Sequence, residues 1–175
     1  MDENKRKYKF SWDVISAYSE ETRPSLGTGT SLEVYRLFQF TMRDVLEQRY
    51  GTEATDDIFR ESGVMAGKAF FEKYCKEATD VGTLAKIIQD RFRELAIGIV
   101  RFEKVDLDNM VIQLTVDEDL DCSGLPDTQE QICVYDEGLI QGLLEAFTGK
   151  PFTVKEVDCW CSGERTCRFQ ARMNK

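Results

Sequence analysis

Histidine is missing from all 175 residues. Its absence removes the Ser-His and Cys-His couples of nucleophilic catalysis, the imidazole base and any His-ligated open zinc. A Lys, Tyr or acid could substitute, but no constellation of them emerges from the spacing, and the chain reads as more a binding protein than an enzyme. Any zinc site must be built from cysteine and acid side chains. Also missing is an apolar run near the ~20 residues of a membrane span. The opening Met1-Asp2-Glu3-Asn4-Lys5 lacks the apolar core of a signal peptide, so a cytoplasmic location is expected. Basic residues are outnumbered, 23 Lys and Arg against 32 Asp and Glu, for a net charge of −9. That balance argues against nucleic acid as a partner, since phosphate neutralisation needs a basic face. The basic cluster Lys5-Arg6-Lys7-Tyr8-Lys9 reads as a solvated end.

What is present suits a folded globule: 42% hydrophobic residues and eleven Phe. With no internal boundary or low-complexity segment, residues 1–175 form one expected domain. Its parts are an N-terminal extension (1–30), a helical part (31–95) and a sheet region (96–175). In the extension, Phe10 to Ile15 is an apolar patch and Arg23 to Thr30 a Pro- and Gly-containing loop. Gly27-x-Gly29 lacks the third Gly of a dinucleotide fingerprint and the Gly-Lys-Ser/Thr of a P-loop.

From Ser31, a plausible N-cap, Val34, Tyr35, Phe38, Met42, Val45 and Leu46 form a helical stripe that ends at Gly51. A second helix, capped by Thr52 or Thr55, carries Ile58, Phe59, Val64, Met65, Phe70, Phe71 and Tyr74. Its Gly63, Ala66 and Gly67 make a small-residue strip, and each helical Gly costs about 0.5–1 kcal/mol against Ala. Close packing against another helix is one reason for them; room for a ligand is another. Thr83 is the expected cap of a third helix with Leu84, Ile87, Ile88, Phe92 and Leu95 inward. The period then becomes that of strands: Ile97 to Glu103, a turn over Asp106 to Asn109, and Met110 to Val116 with Met110, Ile112, Leu114 and Val116 on one face. Asp117-Glu118-Asp119-Leu120-Asp121 resembles a calcium loop, but Cys122 and Thr128 stand where an EF-hand needs Gly and Glu, so a solvated acidic loop is expected.

The densest stretch is Ile132 to Phe169. A helix over 138–148 exits at Gly149-Lys150-Pro151, with Cys133 at or before its first turn, where the dipole favours a thiolate. Cys133, Glu156, Cys159 and Cys167 offer the thiolates and carboxylate that a tetrahedral zinc accepts. Reduced thiols filling the core and disulfides are the other readings, and spacing leaves open whether Cys161 or Cys122 contributes. On a regular hairpin with a Gly163-Glu164 loop, Cys159 and Cys167 would point to opposite faces. Zinc therefore predicts an irregular tip. Helices followed by β-β-α-β-β suit an α+β fold, helices packed on a four-stranded, mainly antiparallel sheet.

The run Cys133, Tyr135-Asp136-Glu137-Gly138, Gly142, Phe147-Thr148-Gly149-Lys150-Pro151, Glu156-x-x-Cys159 and Gly163-Glu164-x-x-Cys167-Arg168-Phe169 resembles the 4-vinyl reductase domain family. That family is similar to the ligand domains of phenol-responsive activators and to subunits of the vesicle-tethering complex known as TRAPP. The resemblance covers residues 95 to about 173, and earlier helices in element order only. It implies a zinc ion on Cys133, Glu156, Cys159 and Cys167, saturated and hence structural, and a hydrophobic, aromatic or hydrocarbon small molecule enclosed nearby. Phe38, Met42, Gly63, Gly67, Phe70, Phe71, Tyr74, Phe92, Ile112 and Leu114 are the candidate lining. The phenol sensors fix the hydroxyl with a His and a Trp; here His is absent, and Trp12 and Trp160 are the only tryptophans.

The leading expectation is thus a sensor-like ligand-binding domain, homodimeric by analogy, acting on a downstream protein partner. An enzyme or carrier in tetrapyrrole or vinyl-group reduction is a second reading, for which no redox-cofactor motif is present. A lipid-binding scaffold subunit is a third.

Overall fold

A computed structural model describes residues 7–19, 21–106 and 109–174. Its elements are α1 (Trp12–Ile15), α2 (Leu32–Tyr50), α3 (Thr52–Phe70), which continues as a wide π turn over Phe71–Cys75, α4 (Val81–Glu94), β1 (Ile99–Asp106), β2 (Val111–Asp117), α5 (Val134–Thr148), β3 (Phe152–Asp158) and β4 (Cys167–Met173). The strands form one antiparallel sheet in the order β1-β2-β4-β3, the expected α+β architecture. Of the basic cluster, Lys5 and Arg6 lie outside the described residues, as do residues 107 and 108 of the β1–β2 turn; Lys7, Tyr8 and Lys9 are exposed.

Local chemistry sets most element ends. The Ser31 hydroxyl accepts the Val34 N–H, and Gly51, at φ 81°, turns the chain out of α2 and directly into α3. The α4 cap is Asp80 rather than Thr83: its Oδ1 accepts the Thr83 N–H at 2.9 Å, so the helix starts three residues earlier. Helix α5 likewise starts at Val134, with Cys133 as N-cap, and ends at Gly149 in the left-handed conformation.

The layers stack outward from the sheet. One sheet face is apolar, with Ile112, Leu114 and Val116 of β2 beside Phe152 and Val154 of β3 and Phe169 and Ala171 of β4, all buried. The opposite face is polar, where Arg168 bonds Glu103 and pairs with Asp158. On the apolar face lies α5, buried on most of its circumference, as a helix between two layers must be. Outside α5 lies α3, and outside α3 lies α2, which has no fully buried residue.

The packing of α3 on α5 explains the glycine strip. A Cβ on Gly63 would lie 2.1 Å from Tyr135 O, and one on Gly67 2.1 Å from Leu139 O. The facing glycines are as tight: Gly138 against Arg60 O at 2.1 Å and Gly142 against Val64 O at 2.3 Å. Of the two reasons open for these glycines, close helix packing is the one realised. Gly67→Ala therefore sets propensity, which favours Ala by about 1 kcal/mol, against overpacking, which costs about 1–3 kcal/mol. With backbone atoms as the obstacle, the clash should win. Urea unfolding is expected to show a net loss of stability; a gain would contradict the close crossing.

Candidate metal centre and adjoining cavity

The α3–α5 crossing holds the first turn of α5 over one end of the sheet, and the cysteines gather there. Cys133 sits at the helix start. Cys167 opens β4 and pairs in register with Val116 of β2. Because β2 ends one residue later, the chain leaving it passes the start of β4 and delivers Cys122. Cys159 comes from the β3–β4 connection, which has a register shift between Glu156 and Asp158, a 3-10 turn over Trp160–Ser162, and Gly163 at φ 95°. The hairpin tip is irregular, and Cys159 and Cys167 both face the cluster.

The four Sγ atoms of Cys122, Cys133, Cys159 and Cys167 all lie within 4.8 Å of one another, in residues at most 1% exposed. Individual separations are 3.1 Å (122–167), 3.7 Å (133–167) and 3.9 Å (133–159). Sulfurs about 2.3 Å from a central ion stand about 3.8 Å apart in a tetrahedron, so this donor set could hold a metal ion. Hydrogen bonds from Cys122, Cys133 and Cys167 hold the Cys159 thiol far down, whereas bonds among the same four groups, with burial, drive Cys133 up. All six cysteines are unpaired, which sets aside disulfides in this structure. Cys161 and Cys75 lie outside the four-sulfur cluster; burial pushes the Cys161 thiol up to about 12 and Cys75 up to about 11.

Of the expected ligands, Cys133, Cys159 and Cys167 come together, and the fourth sulfur beside them is that of Cys122. Glu156 reaches the cluster from β3 but spends Oε2 on the Cys133 N–H at 3.1 Å. Its Oε1 is buried with no hydrogen bond. Burial, with Cys159 beside it, pushes its carboxyl up to about 9.

Acids surround the thiols. The 117–121 loop is not solvated as expected: Asp119 and Asp121 are buried. Asp119 Oδ1 accepts the N–H groups of Asp121 and Cys122, which folds the loop inward. Asp121 Oδ1 accepts the Tyr35 hydroxyl at 2.7 Å. Burial, with Asp121 nearby, lifts Asp119 to about 7, and burial lifts Asp136 far up. Glu137 is the buried anchor of the centre. Its Oε1 accepts the Glu156 N–H, and its Oε2 takes Arg60 and Lys155.

The ten candidate lining residues occupy separate places. Phe38 and Met42, 64% and 43% exposed, border a groove of about 270 Å³ between α2 and α3. Gly63 and Gly67 face α5. Phe70 joins Trp12, Tyr74 and Phe92 in an edge-to-face aromatic cluster, and Phe71 packs on Phe147. Ile112 and Leu114 are core. A second cavity, about 240 Å³, lies beneath the N-terminal segment and is lined by Asp121, Tyr135 and Asp136, neighbours in sequence of the cluster residues Cys122 and Cys133. Phe10, Trp12, Ala66 and Phe70 form its apolar part, and Tyr35, Asp121, Tyr135 and Asp136 its polar end. Tyr35 and Tyr135 border both spaces.

Comparison with known proteins agrees with this geometry. Residues 112–173 match the model of the 4-vinyl reductase domain. An uncharacterized protein of Methanocaldococcus jannaschii is 28% identical over 88 residues, 50% of this chain and 52% of that protein; the chain thus matches about half the length of this relative. A second from the same organism is 25% identical over 137 residues, 78% of this chain and 74% of its own. Among solved structures, the phenol-responsive sensory domain of the transcription activator PoxR superposes with TM-score 0.62 at 16% identity, covering 76% of this chain and 71% of that one. A vinyl-4-reductase family protein from M. jannaschii gives 0.57 at 18%, covering 89% and 88%. A trafficking protein particle complex subunit 3 from Naegleria fowleri, covalently bound to palmitic acid, gives 0.63 at 14%, covering 82% and 95%. At such identities these likenesses establish the shared fold. Among the described residues no helix is long and apolar enough to cross a membrane.

Glu137→Gln removes the charge from hydrogen bonds worth about 1.5–3 kcal/mol each before solvent access to Arg60 is discounted. The expected result is a lower Tm and faster reaction of the cluster thiols with a thiol reagent. An unchanged thiol rate would separate Glu137 from the centre.

Proposed function

We propose that this chain is a small-molecule-binding, sensor-like domain stabilised by a structural zinc ion on Cys122, Cys133, Cys159 and Cys167. The observation that carries the reading is the gathering of four buried sulfurs within 4.8 Å of one another beside a largely apolar cavity. Four thiolates saturate zinc and leave no position for water or substrate, so the ion would supply stability and no chemistry of its own. Glu156 would orient Cys133 through the backbone, an outer contact of the kind that tunes metal sites.

The ligand would be a hydrophobic or aromatic small molecule under the N-terminal segment. The 4-vinyl reductase domain match, and the phenol and palmitic acid named for two structural neighbours, support that chemistry. Asp121 precedes Cys122, and Tyr135 and Asp136 follow Cys133 in the first turn of α5. Filling the cavity would therefore act on the metal-bearing segments through adjacent backbone. A homodimer is part of the reading. Val34, Leu37, Phe38, Met42 and Val45 form an exposed apolar stripe on α2, each 43–65% exposed, where a solvated helix would be polar. A second copy of α2, related by a two-fold axis, would cover it. A downstream protein would read the resulting change at the dimer surface.

Metal analysis of purified protein should find about one zinc per chain, lost with a fall in Tm in Cys122→Ser and kept in Cys75→Ser. Glu156→Gln should retain the ion. Zinc lost from Glu156→Gln but kept in Cys122→Ser would overturn the four-thiolate assignment. Separately, Phe38→Glu should convert a dimer to a monomer in light scattering; a wild-type monomer would remove the dimer from the proposal.

A further inference from the structure

Resting on the small-molecule reading above, we propose that the cavity under the N-terminal segment selects an amine: an apolar body with an ammonium group directed at Asp121. Asp121 is only 4% exposed, and its two carboxylate oxygens are treated differently. Oδ1 accepts the Tyr35 hydroxyl, whereas Oδ2 is buried with no hydrogen bond among the described residues. Asp121 nevertheless borders the cavity, as does Asp136 from α5. A buried acceptor left without a donor is costly, and buried polar groups are nearly always paired.

Beside Tyr35, two side chains with N–H donors lie near Asp121, and neither gives Oδ2 a hydrogen bond. Arg36 spends Nε on Leu120 O at 3.0 Å and Nη2 on Ser123 O at 2.9 Å. Gln39 reaches the same carboxylate from α2 as a hydrogen-bond partner, yet Asp121 Oδ2 and its own Oε1 both stay buried without a donor. Two acceptors in one neighbourhood thus call for donors that the described residues do not provide. Asp121 and Asp136 are the two carboxyl groups that line this end of the cavity. A phenol or fatty acid offers one donor and no positive charge. An ammonium group offers three donors and the opposite charge, and charge-assisted hydrogen bonds are about twice as strong as neutral ones. At the other end Phe10, Trp12, Ala66 and Phe70 give the organic body an apolar, partly aromatic seat. At about 240 Å³ the space suits a molecule of one ring or a short chain.

The test uses the full chain with benzylamine and benzyl alcohol, which share shape and differ in the head group, followed by calorimetry and backbone amide shifts at pH 7. Benzylamine should bind at least about tenfold more tightly, about 1.4 kcal/mol, with shifts at Tyr35, Ala66, Asp121 and Tyr135. Asp121→Asn should erase the preference. Ala66→Leu, which fills the apolar end and leaves the carboxylate intact, should weaken both ligands and carries the test if Asp121→Asn does not fold. Equal affinity for the two probes would overturn amine selection while leaving a small-molecule cavity. Amine preference that survives in folded Asp121→Asn would overturn the assignment to this carboxylate. No binding of either probe would overturn both the selection and the cavity.

Discussion

The fold depends on two helices that touch backbone to backbone. Gly63 and Gly67 on α3 meet Gly138 and Gly142 on α5 so closely that a single added carbon at any of them collides with main chain. Ordinary helix pairs sit about 8–10 Å apart with side chains between them; here the side chains are removed so that the axes can close. The gain is positional. Helix α5 is fixed between α3 and the sheet, and its first turn has one available place, over the ends of β2, β3 and β4. Cys133, Tyr135, Asp136 and Glu137 inherit their positions from that placement.

Around that turn the protein concentrates groups that are costly to bury: four thiols and the carboxyls of Asp119, Asp121, Asp136, Glu137 and Glu156. Only part of the cost is offset internally. Glu137 has Arg60 and Lys155, and Asp121 has Tyr35, but Glu156 Oε1 and Asp121 Oδ2 find no donor among the described residues. The proposed zinc answers the sulfurs and the proposed ammonium answers Asp121; the two sites share a wall, so each would stabilise the geometry the other needs.

Much of this was legible in the sequence. Ser31 and Gly51 delimit α2 by capping chemistry that acts within a few residues, and alternation in 110–116 identifies the inner face of β2. The irregular tip between Cys159 and Cys167 follows from the parity of side chains on strands. What was hidden is what depends on long-range register. Cys122 lies in a stretch whose acids read as solvated, and only the pairing of Val116 with Cys167 carries it to the cluster. The same folding buries Asp119 and Asp121, whose local spacing predicts exposure. The available signal was the short distance from the end of β2 to Cys122, once β2 is known to neighbour β4. The glycines of α3 were visible as an anomaly, but their reason lay in Gly138 and Gly142, some 75 residues on. Pocket residues were the least legible, since an aromatic at helical spacing looks alike whether it faces core, groove or solvent, as Phe70 and Phe38 demonstrate.

The strand order has a consequence for folding. β4 sits between β2 and β3, yet it follows every other described element in the chain. During folding β1 and β2 can pair as a local hairpin, but the inner edge of β2 and all of β3 have no strand partner until Cys167 to Met173 takes its place between them. Until then the apolar faces of β2, β3 and α5 stand open together, the condition in which nascent chains invite chaperones or associate with one another. Docking of β4 would cover all three at once.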